Sequence, residues 1–522
     1  MFENYEKNNG PVVSVLVPTF NRPQSLYKAI VSVLKQSYGN LQVIVVNDGG
    51  EDVRRIIDSF NDSRLTFINR KENRGKACSL NVALNRAEGK YIAYLDDDDM
   101  YYPFHIETLV DVLENKTDCQ VAYSDLYKTY CKVFPDGSRH VLSKVVEVSR
   151  DFDRFLMLVF NHVLHVSLMH RRDMIEKTGP YNEQLNVLID WDMTRRLVFF
   201  SDFFHVHKVT GEYSHPVGDS DRISVQRRKD KNEYMKNVLT ILTTRPPKPW
   251  SKIKDLSIIF VTESLDKLAG KTIGSIWQRT FYPYELVLPI CETDLSRLNT
   301  DMPNLIFVNV NRLSSQTQQV DAALEKCGGQ YIAIVPSGFP VEDLWIENPL
   351  YALINCADNR QGFMIDGVTD KLWAAVVKRD DLILARKSFP DLSVSESLKA
   401  AGITLRYPCN EELPFQFDNL YHNALSAENE GNWFHAAQMY EQIADRHQNV
   451  LWIKRLAAKA FYEANDYSRV EQICNQINRQ RPTVDTLLLE AKLRRRNKKF
   501  DSAIELLTAA ENTLQGYELI WT

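Results

Sequence analysis

Short apolar runs alternate with helical segments through the first hundred residues, and this alternation narrows the possible folds more than any other feature of the chain. Residues 12–17 form a valine-rich run, and residues 41–46 and 91–95 form similar runs. A continuous apolar run is typical of a strand buried on both faces of a sheet. Strands that alternate with helices predict a mostly parallel α/β sheet. The predicted elements are strands 12–17, 41–46, 65–68 and 91–95 and helices 26–34, 54–60 and 77–86.

Polar side chains follow the predicted strands at the points where the strands end. Thr19 follows the first strand after Pro18, Asn47 and Asp48 follow the second, and residues 96–99 follow the fourth. In open parallel sheets, ligands bind beyond the carboxyl ends of the strands. These positions therefore predict one ligand site at that edge of the sheet.

The aspartate run of residues 96–99 is the sharpest of these signals. Four adjacent carboxylates repel one another, and burying them unpaired costs free energy. At a strand end they form an oxygen-rich site for a hard divalent cation, which can hold a diphosphate and neutralise its charge. The alternative is a solvated acidic turn or a helix N-cap. The buried strand that precedes the run favours the cation site.

Length and charge set the broad class of the protein. The 522 residues have room for about three domains. With 63 Lys and Arg against 68 Asp and Glu, the net charge is −5, so we expect no nucleic-acid partner. The polar start of the chain and the lack of a run of about 20 apolar residues predict neither a signal peptide nor a membrane span. Eight scattered cysteines favour a reduced, cytoplasmic protein.

A second segment resembles a diverged copy of the first. Residues 256–262 align with 13–19, and residues 329–333 align with 89–93 at nearly the same offset. Equal offsets indicate a duplicated domain. The copy has Pro336-Ser337-Gly338-Phe339 in place of the aspartates, so we expect the fold without the acidic chemistry. The proline-rich residues 245–249 predict a stiff spacer before it.

The last segment is helical and repetitive. Trp433, Tyr467 and Phe500 recur at intervals of 34 and 33 residues. Small or apolar residues stand three and seven positions after each aromatic residue, a pattern typical of tetratricopeptide repeats, whose stacked helices present a concave binding surface. These positions are Ala436, Val470, Ala503, Tyr440, Cys474 and Leu507.

The first segment, over roughly residues 12–225, resembles the glycosyltransferases of family 2, which have the GT-A fold. The order and spacing of its short motifs carry the resemblance. Those motifs are residues 17–21, 46–50, 73–75, 89–93 and the aspartate run. The resemblance implies a nucleotide-diphosphate sugar donor, usually UDP-linked, and inversion at the anomeric carbon.

The resemblance also assigns the donor site. It implies that Pro18, Thr19 and Phe20 line the nucleotide pocket and that Asp48 accepts a hydrogen bond from the base. For Asp48 an Asx turn with Gly49 is an equal alternative. Lys76 is expected to face the nucleotide, although a solvated lysine at a helix start is as compatible with the sequence.

The aspartate run matches the D-x-D motif of the family. The resemblance implies that Asp96 and Asp98 hold the ribose and a Mg²⁺ or Mn²⁺ ion. We assign Asp97 to the cofactor site and Asp99 to the metal. His215 is a further expected metal or phosphate contact, for which His205 and His207 compete. A lone histidine is more commonly structural.

The general base is expected in residues 187–192, ahead of a predicted helix at 193–198. Attack by an acceptor hydroxyl needs a base on the face opposite the leaving diphosphate. The resemblance assigns this role to Asp190, with Asp192 as the rival. Many family members have Glu before this aspartate, where this chain has Ile189. A helix cap is the alternative role of Asp190.

Together these features predict a three-part enzyme. Residues 1–240 would form a GT-A catalytic domain with a Rossmann-like mixed sheet, 251–410 a degenerate GT-A-like α/β domain, and 411–522 an all-α tetratricopeptide-like array. The expected activity is metal-dependent transfer of a sugar to a cell-surface glycan. The basic runs 227–229 and 494–496 are solvated helix faces or contacts with an anionic acceptor or lipid-phosphate surface.

The acceptor stays open at this point. The repeats suit a polypeptide acceptor as the second choice, and they suit self-association equally. A peripheral contact with the inner membrane face is compatible with both.

Two rivals to the glycosyltransferase come from other functional classes. One is a nucleotidyltransferase, although residues 18–21 lack its Gly-rich loop; the other is a non-catalytic scaffold that binds a nucleotide sugar.

Overall fold

The predicted apolar runs form the middle of a large sheet in the computed structural model of the chain. The structure describes residues 10–134, 139–146, 149–217, 231–297, 304–358, 360–365, 373–409, 416–446, 451–480 and 483–515. The first sheet contains, within these residues, the strands β1 (Val13–Thr19), β2 (Leu41–Asn47), β3 (Leu65–Asn69), β4 (Tyr91–Tyr94), β5 (Met100–Tyr101), β6 (Val121–Val133), β7 (Arg139–Val145), β8 (Leu168–Arg171) and β9 (Phe203–Pro216).

One half of this sheet is parallel and the other half is mixed. The strand order is β3-β2-β1-β4-β8-β6-β9-β5, and β7 pairs with β6. β1 runs parallel to β2 and β4, as the alternation of strands and helices predicts. β8 is antiparallel to β4 and β6, whereas β9 runs parallel to β6. The fold is therefore a mixed α/β sheet.

Helices cover the parallel half because its strands are apolar on both faces. Val15 and Val17 of β1 pack with Leu26 and Ile30 of the first helix in one core cluster. Within the described residues up to 243, the helices are α1 (Pro23–Leu34), α2 (Arg54–Phe60), α3 (Lys76–Leu84), α4 (His105–Asn115), α5 (Arg154–Val159), α6 (Met174–Thr178), α7 (Ile189–Leu197) and α8 (Lys231–Thr243).

β1 continues through Pro18, which the sequence predicts as its end. The backbone groups of successive residues in β1 point alternately toward β2 and toward β4. The Thr19 carbonyl accepts from the N–H of Asp48, next to β2, and the Leu16 carbonyl accepts from the N–H of Leu95, next to β4. Pro18 therefore faces the β4 side. The β4 ladder ends at Leu16 and Tyr94, so the missing N–H of the proline is not needed there. The extension carries Thr19 to the edge of the sheet.

The second sheet repeats the strand order of the parallel half. Its order is β12-β11-β10-β13-β15-β14-β16, and β10 runs parallel to β11 and β13. Its described strands are β10 (Leu256–Val261), β11 (Tyr284–Ile290), β12 (Leu305–Asn309), β13 (Tyr331–Pro336), β14 (Gln361–Met364), β15 (Ala375–Lys378) and β16 (Thr404–Arg406). Its helices are α9 (Lys267–Arg279), α10 (Gln316–Leu324), α11 (Glu347–Asn355), α12 (Arg379–Ser388) and α13 (Val394–Ala400).

Glu347, at the start of α11, is a buried carboxyl group that holds a turn in place. One of its oxygens accepts from the backbone N–H groups of Phe281, at 2.6 Å, and Tyr282, at 3.0 Å. Burial raises the pKa of Glu347 to about 7, against the opposing effect of those bonds. A raised pKa in the folded chain means that the stabilisation is present below pH 4.5 and is lost as the pH rises through 7.

We expect Glu347→Gln to increase the free energy of unfolding at pH 8 and to leave it almost unchanged at pH 4.5. The amide oxygen still accepts both backbone bonds but carries no charge. The difference at pH 8 should approach about 3 kcal/mol, the equivalent of a shift of this size. Urea denaturation of the whole chain at both pH values measures it. An equal effect at both pH values would show that the pKa of Glu347 is not raised.

Six helices in three consecutive pairs form the C-terminal part. Each of the three aromatic residues that mark the sequence period, Trp433, Tyr467 and Phe500, is the first residue of the second helix in a pair. The residues three positions later are buried in all three pairs. The helices are α14 (Gln416–Asn429), α15 (Trp433–Arg446), α16 (Leu451–Glu463), α17 (Tyr467–Gln480), α18 (Val484–Arg496) and α19 (Phe500–Gln515).

The chain divides into two compact units. One comprises Met1–Asp153, Asn161–Asn237 and Phe417–Thr522, and the other comprises Arg154–Phe160 and Val238–Gln416. The first sheet and the helical pairs belong to the first unit. The domain boundaries expected from the sequence stay predictions. Of the helices that the structure describes, none has the length and apolar character needed to cross a bilayer.

Candidate functional site

The aspartate run lies at the carboxyl edge of the parallel strands. β4 ends at Tyr94, and the run follows after the buried Leu95. Carboxylate oxygens of Asp96, Asp98 and Asp99 lie within 4.8 Å of one another. Asp96 is half-buried, whereas Asp98 and Asp99 are buried. Three oxygen ligands at this spacing fit a hard divalent cation, so the residues present match the Mg²⁺ or Mn²⁺ site that the resemblance implies.

Asp97 faces away from that group and ties the run to the end of β1. Its carboxylate accepts from the hydroxyl of Thr19 at 2.7 Å and from Arg22 at 3.2 Å. The backbone N–H of Phe20 donates to it at 3.4 Å. Burial and the charge of Asp98 raise the pKa of Asp97 to about 6, against the opposing effects of Arg22 and Thr19. Asp97 thus connects the end of β1 and the residues that follow it to the aspartate run.

Two arginines that the sequence did not single out hold the aspartate run. Arg22 lies 3.0 Å from Asp98 as well as bonding to Asp97. Arg139, on β7, donates to the backbone carbonyl of Asp98 at 2.5 Å and to the hydroxyl of Ser214. For Arg22 the sequence held a visible signal, because it is a basic residue just after β1. No local signal marks Arg139, which lies 41 residues from Asp98 in the chain.

Lys76 joins the aspartate run to the predicted base. Its ammonium lies at the start of α3, 2.6 Å from Asp96. Burial opposes its charged form, but the carboxylates of Asp96, Asp190 and Asp98 outweigh burial and raise the pKa of Lys76. Lys76 therefore stays protonated. The aspartate run and Asp190 therefore both interact with one cation, the Lys76 ammonium.

Asp48 is buried at the end of β2 and organises the loop before α3. Its carboxylate accepts from the Arg70 side chain at 2.6 Å and from the backbone N–H groups of Arg74 at 3.1 Å and Gly75 at 2.8 Å. Gly49 has φ +73°, and a Cβ there would lie 2.3 Å from the backbone of Glu72, so the position needs glycine. These bonds leave room for about one further donor to the Asp48 carboxylate. Its role toward a base stays a prediction.

The predicted nucleotide-pocket residues occupy the end of β1 and differ in exposure. Thr19 is buried against Asp97, Pro18 is half-buried, and the Phe20 ring is exposed. The amide oxygen of Asn21, which has φ +55°, accepts from the backbone N–H of Glu51 at 2.8 Å. This bond joins the loops that follow β1 and β2. An exposed ring beside the acidic edge offers a flat apolar surface to a planar ligand.

Asp190 lies in the first turn of α7, half-buried. The predicted helix at 193–198 therefore begins four residues earlier, after Leu188, whose φ is +62°. The Asn161 amide donates to the Asp190 side chain at 3.4 Å. Burial raises the pKa of Asp190, against the opposing charge of Lys76. A carboxylate with a raised pKa is a stronger base than an exposed one.

Asp192, the rival base, is paired within α7. Its carboxylate pairs with Arg196 at 2.6 Å, one helical turn later, and both side chains are buried. Arg196 also donates to the carbonyls of Thr178 and Gly179. This pair connects α7 to the end of α6. The i, i+4 spacing of Asp and Arg was visible in the sequence and favours a structural role.

The structure does not bring His215 into the carboxylate group. The backbone N–H of Ser214 donates to Asp99 at 2.8 Å. The ring of the next residue, His215, lies edge-on to Tyr130 with centroids 5.1 Å apart. Of its two competitors, His205 bonds to Asp125 at 2.8 Å and His207 to Asp151 at 2.8 Å. Those two histidines form a separate cluster.

Residues 14–174 match the family model described as Glycosyl transferase family 2. An uncharacterized glycosyltransferase of Rickettsia prowazekii is 31% identical over 206 residues, which cover 38% of this chain and 62% of that protein. A putative colanic acid biosynthesis glycosyl transferase of Escherichia coli is 39% identical over 98 residues, which cover 18% of this chain and 35% of that protein. The chain thus spans less than two thirds of the length of these relatives.

Two solved structures illustrate the structural similarity. S. aureus TarS 1-349, in complex with UDP-GlcNAc, matches at a TM-score of 0.36 and 18% identity, covering 45% of this chain and 68% of that one. The mannosyltransferase PcManGT from Pyrobaculum calidifontis, in complex with GDP-Man and Mn²⁺, matches at 0.33 and 18% identity, covering 46% and 67%. By its sequence match, the N-terminal region, which holds β1 to β4 and the aspartate run, carries a domain of glycosyl transferase family 2.

Proposed function

We propose that the chain is an inverting glycosyltransferase that moves a sugar from a nucleotide-diphosphate sugar to an acceptor hydroxyl. The observation that carries the proposal is the position of Lys76. Its ammonium binds Asp96 at 2.6 Å, and against the opposing effect of burial the charges of Asp96 and Asp190 raise its pKa. The carboxylates that would hold the donor diphosphate through an ion and the carboxylate that would act as base therefore interact with the same lysine, which supports a donor and an acceptor that meet near it.

The aspartate run forms the donor end of the proposed site. Asp96, Asp98 and Asp99 would hold a Mg²⁺ or Mn²⁺ ion, which when bound supplies positive charge to the diphosphate of the donor. The run is held in place by the contacts of Asp97, Arg22 and Arg139. The end of β1, with Phe20 exposed, would receive the base of the nucleotide. UDP is the first choice of base, on the family resemblance.

Asp190 forms the acceptor end. Its carboxylate takes the proton of the acceptor hydroxyl as that oxygen attacks the anomeric carbon. The bond from the anomeric carbon to the donor phosphate breaks on the opposite face, and the nucleoside diphosphate leaves with its electron pair. Asn161 orients the carboxylate through its amide, and the positive charge of Lys76 acts on it as well as on Asp96. The product has the inverted configuration because there is one displacement.

The other two parts of the chain are proposed to serve the acceptor. The second sheet, with the strand order of the first but Pro336-Ser337-Gly338-Phe339 in place of the aspartates, is a degenerate GT-A-like domain without its own chemistry. The helical pairs, whose aromatic residues recur every 33–34 positions, are tetratricopeptide-like repeats. A cell-surface glycan is the first acceptor class. The helical surface makes a polypeptide the second, and it also offers a contact for self-association. We place the reaction in the cytoplasm, with a possible peripheral contact at the inner membrane face.

Release of nucleoside diphosphate from a panel of UDP-, GDP- and dTDP-sugars tests the proposed activity. We expect one donor to be hydrolysed slowly without an acceptor in the presence of Mn²⁺, and EDTA to abolish the release. Donor binding is measured in parallel by calorimetry. If no donor binds to the folded chain, the proposal fails. A donor that binds but never releases nucleoside diphosphate, with or without acceptors, would favour the scaffold that binds a nucleotide sugar. Release of pyrophosphate from a nucleoside triphosphate would indicate a nucleotidyltransferase instead.

A further inference from the structure

Lys76 covers the Asp96 carboxylate, one of the three groups that would hold the divalent ion. Its ammonium lies 2.6 Å from each of the two carboxylate oxygens. An ion that bound either oxygen would share it with the ammonium, and two positive charges so close to each other repel. Lys76 therefore competes with the ion for Asp96.

The other two carboxylates of the proposed ion site have partners that can remain when an ion binds. Asp99 accepts from a backbone N–H at 2.8 Å, and that group carries no net charge. Arg22 lies 3.0 Å from Asp98, but it also bonds to Asp97 at 3.2 Å and so has a second carboxylate to keep. Among the described residues, the Lys76 ammonium bonds to a single carboxylate, and that carboxylate is a proposed ion ligand.

The backbone before Lys76 is fixed, whereas its side chain can turn. Asp48 accepts from the backbone N–H groups of Arg74 at 3.1 Å and Gly75 at 2.8 Å, and α3 begins at Lys76. The lysine side chain is 27% exposed, and it carries its ammonium on a flexible four-carbon stem with three rotatable donors. The ammonium can therefore change partners without a shift of the helix.

The donor diphosphate offers the ammonium a second anionic partner. A hard divalent ion at such a site is bound by one or two carboxylates together with the phosphates of the substrate. The phosphate oxygens would therefore be close to Asp96 and to the ammonium that the ion displaces. Lysine binds phosphate as a point charge, through charge-assisted hydrogen bonds. The anion that arrives with the ion thus replaces the carboxylate that the ammonium loses.

We propose that Lys76 is an exchangeable counter-ion, which neutralises Asp96 when no ion is bound and passes to the donor diphosphate when a divalent ion binds Asp96. This role of Lys76 rests on the proposed function. Because each ligand then favours the binding of the other, ion and nucleotide bind cooperatively, and the coupling acts equally in both directions. The alternatives are a lysine that stays on Asp96 and a lysine that contacts phosphate with or without the ion.

Mn²⁺ binding to the full-length chain without nucleotide measures the competition for Asp96. Lys76→Met removes the charge and keeps an unbranched side chain, and we expect it to tighten Mn²⁺ binding by about fivefold or more. The electron paramagnetic resonance signal of free Mn²⁺ gives the affinity. Lys71→Met, the same change at an exposed lysine of the loop before α3, is the matched control and should bind Mn²⁺ as the wild type does. Circular dichroism spectra check that each protein folds.

Nucleotide binding at saturating Mn²⁺ shows where the ammonium goes. UDP is the probe and GDP the second nucleotide, and calorimetry gives their affinities. We expect Lys76→Met to weaken binding of the nucleotide by about fivefold or more, because the contact with the diphosphate is lost. A crystal structure with Mn²⁺ and the bound nucleotide should show the ammonium within hydrogen-bond distance of a phosphate oxygen and no longer on both oxygens of Asp96.

The two effects of Lys76→Met have to occur together. A lysine that stays on Asp96 predicts tighter Mn²⁺ binding without weaker nucleotide binding, and a lysine that is always on the phosphate predicts the reverse. Either effect alone overturns the proposal, and so does a variant that binds both ligands as the wild type does. These outcomes leave the proposed function intact, because ion and nucleotide still bind. No binding of Mn²⁺ or nucleotide to the wild type overturns the proposed function together with this role of Lys76.

Discussion

Asp190→Asn should lower the turnover of donor and acceptor by about 10²- to 10⁴-fold, the contribution of a positioned general base. The amide matches the carboxylate in shape, so Asn161 and the first turn of α7 keep their positions. It cannot take a proton from the acceptor hydroxyl. Donor affinity should stay within twofold, because the donor contacts lie on the aspartate run. Steady-state rates with acceptor, together with calorimetric donor binding, measure both effects.

The pH profile separates a base from a merely structural aspartate. Burial raises the pKa of Asp190 above its ordinary value, so the rate of the wild type should fall on the acid side at a pH above that value. The residual rate of Asp190→Asn should lack this fall. Asp173→Asn, the same change at an exposed aspartate, supplies the control and should alter neither rate nor profile. Unchanged turnover in Asp190→Asn would remove Asp190 from the role of base.

The position of the site was predictable because the features that set it are local. A buried apolar strand followed by polar residues specifies a strand end, and three such ends meet at one edge of a parallel sheet. Thr19, Asp48 and Asp96 all lie at that edge, as their places after β1, β2 and β4 require. The strand boundaries differ from the prediction by one or two residues, since Pro18 continues β1 where the ladder does not need its N–H.

The direction of individual side chains was not predictable, because it depends on partners far away in the chain. Nothing in the aspartate run distinguishes Asp97 from its neighbours, yet only its carboxylate bonds to Thr19, 78 residues away. Arg139 reaches the backbone of Asp98 from β7, a strand that no sequence pattern connects to β4. Such pairings arise from the order of the strands in the sheet, which a single sequence leaves open.

Asp192 and His215 show two further limits. For Asp192 a signal was present: Arg196 follows at the spacing of one helical turn and pairs with it at 2.6 Å. For His215 the sequence carried no signal of its partner: its ring lies edge-on to Tyr130, whereas the neighbouring Ser214 donates its backbone N–H to Asp99. Its role as a metal or phosphate contact stays a prediction.

Asp98→Ala should lower Mn²⁺-dependent release of nucleoside diphosphate by about 10²- to 10³-fold, the usual cost of removing a group that stabilises transition-state charge. Asp98 is central to the predicted ion site, since its carboxylate lies with those of Asp96 and Asp99 within 4.8 Å. Its removal takes a negative ligand away and leaves the positive charge of Arg22 facing the ion, 3.0 Å from where the carboxylate was. Both changes weaken cation binding.

The dependence on Mn²⁺ concentration decides whether this loss acts through the ion. If Asp98 is a ligand, the variant needs a much higher Mn²⁺ concentration for half-maximal release, and excess Mn²⁺ restores part of the rate. If Asp98 only holds Arg22 in place, the rate falls with no change in the Mn²⁺ requirement. Asp111→Ala, at an exposed position of α4, controls for the loss of one carboxylate and should leave both quantities unchanged. Arg22 keeps its bond to Asp97 in the Asp98→Ala variant, so we expect this variant to stay folded. Melting temperatures of all three proteins test whether unfolding causes the loss of rate.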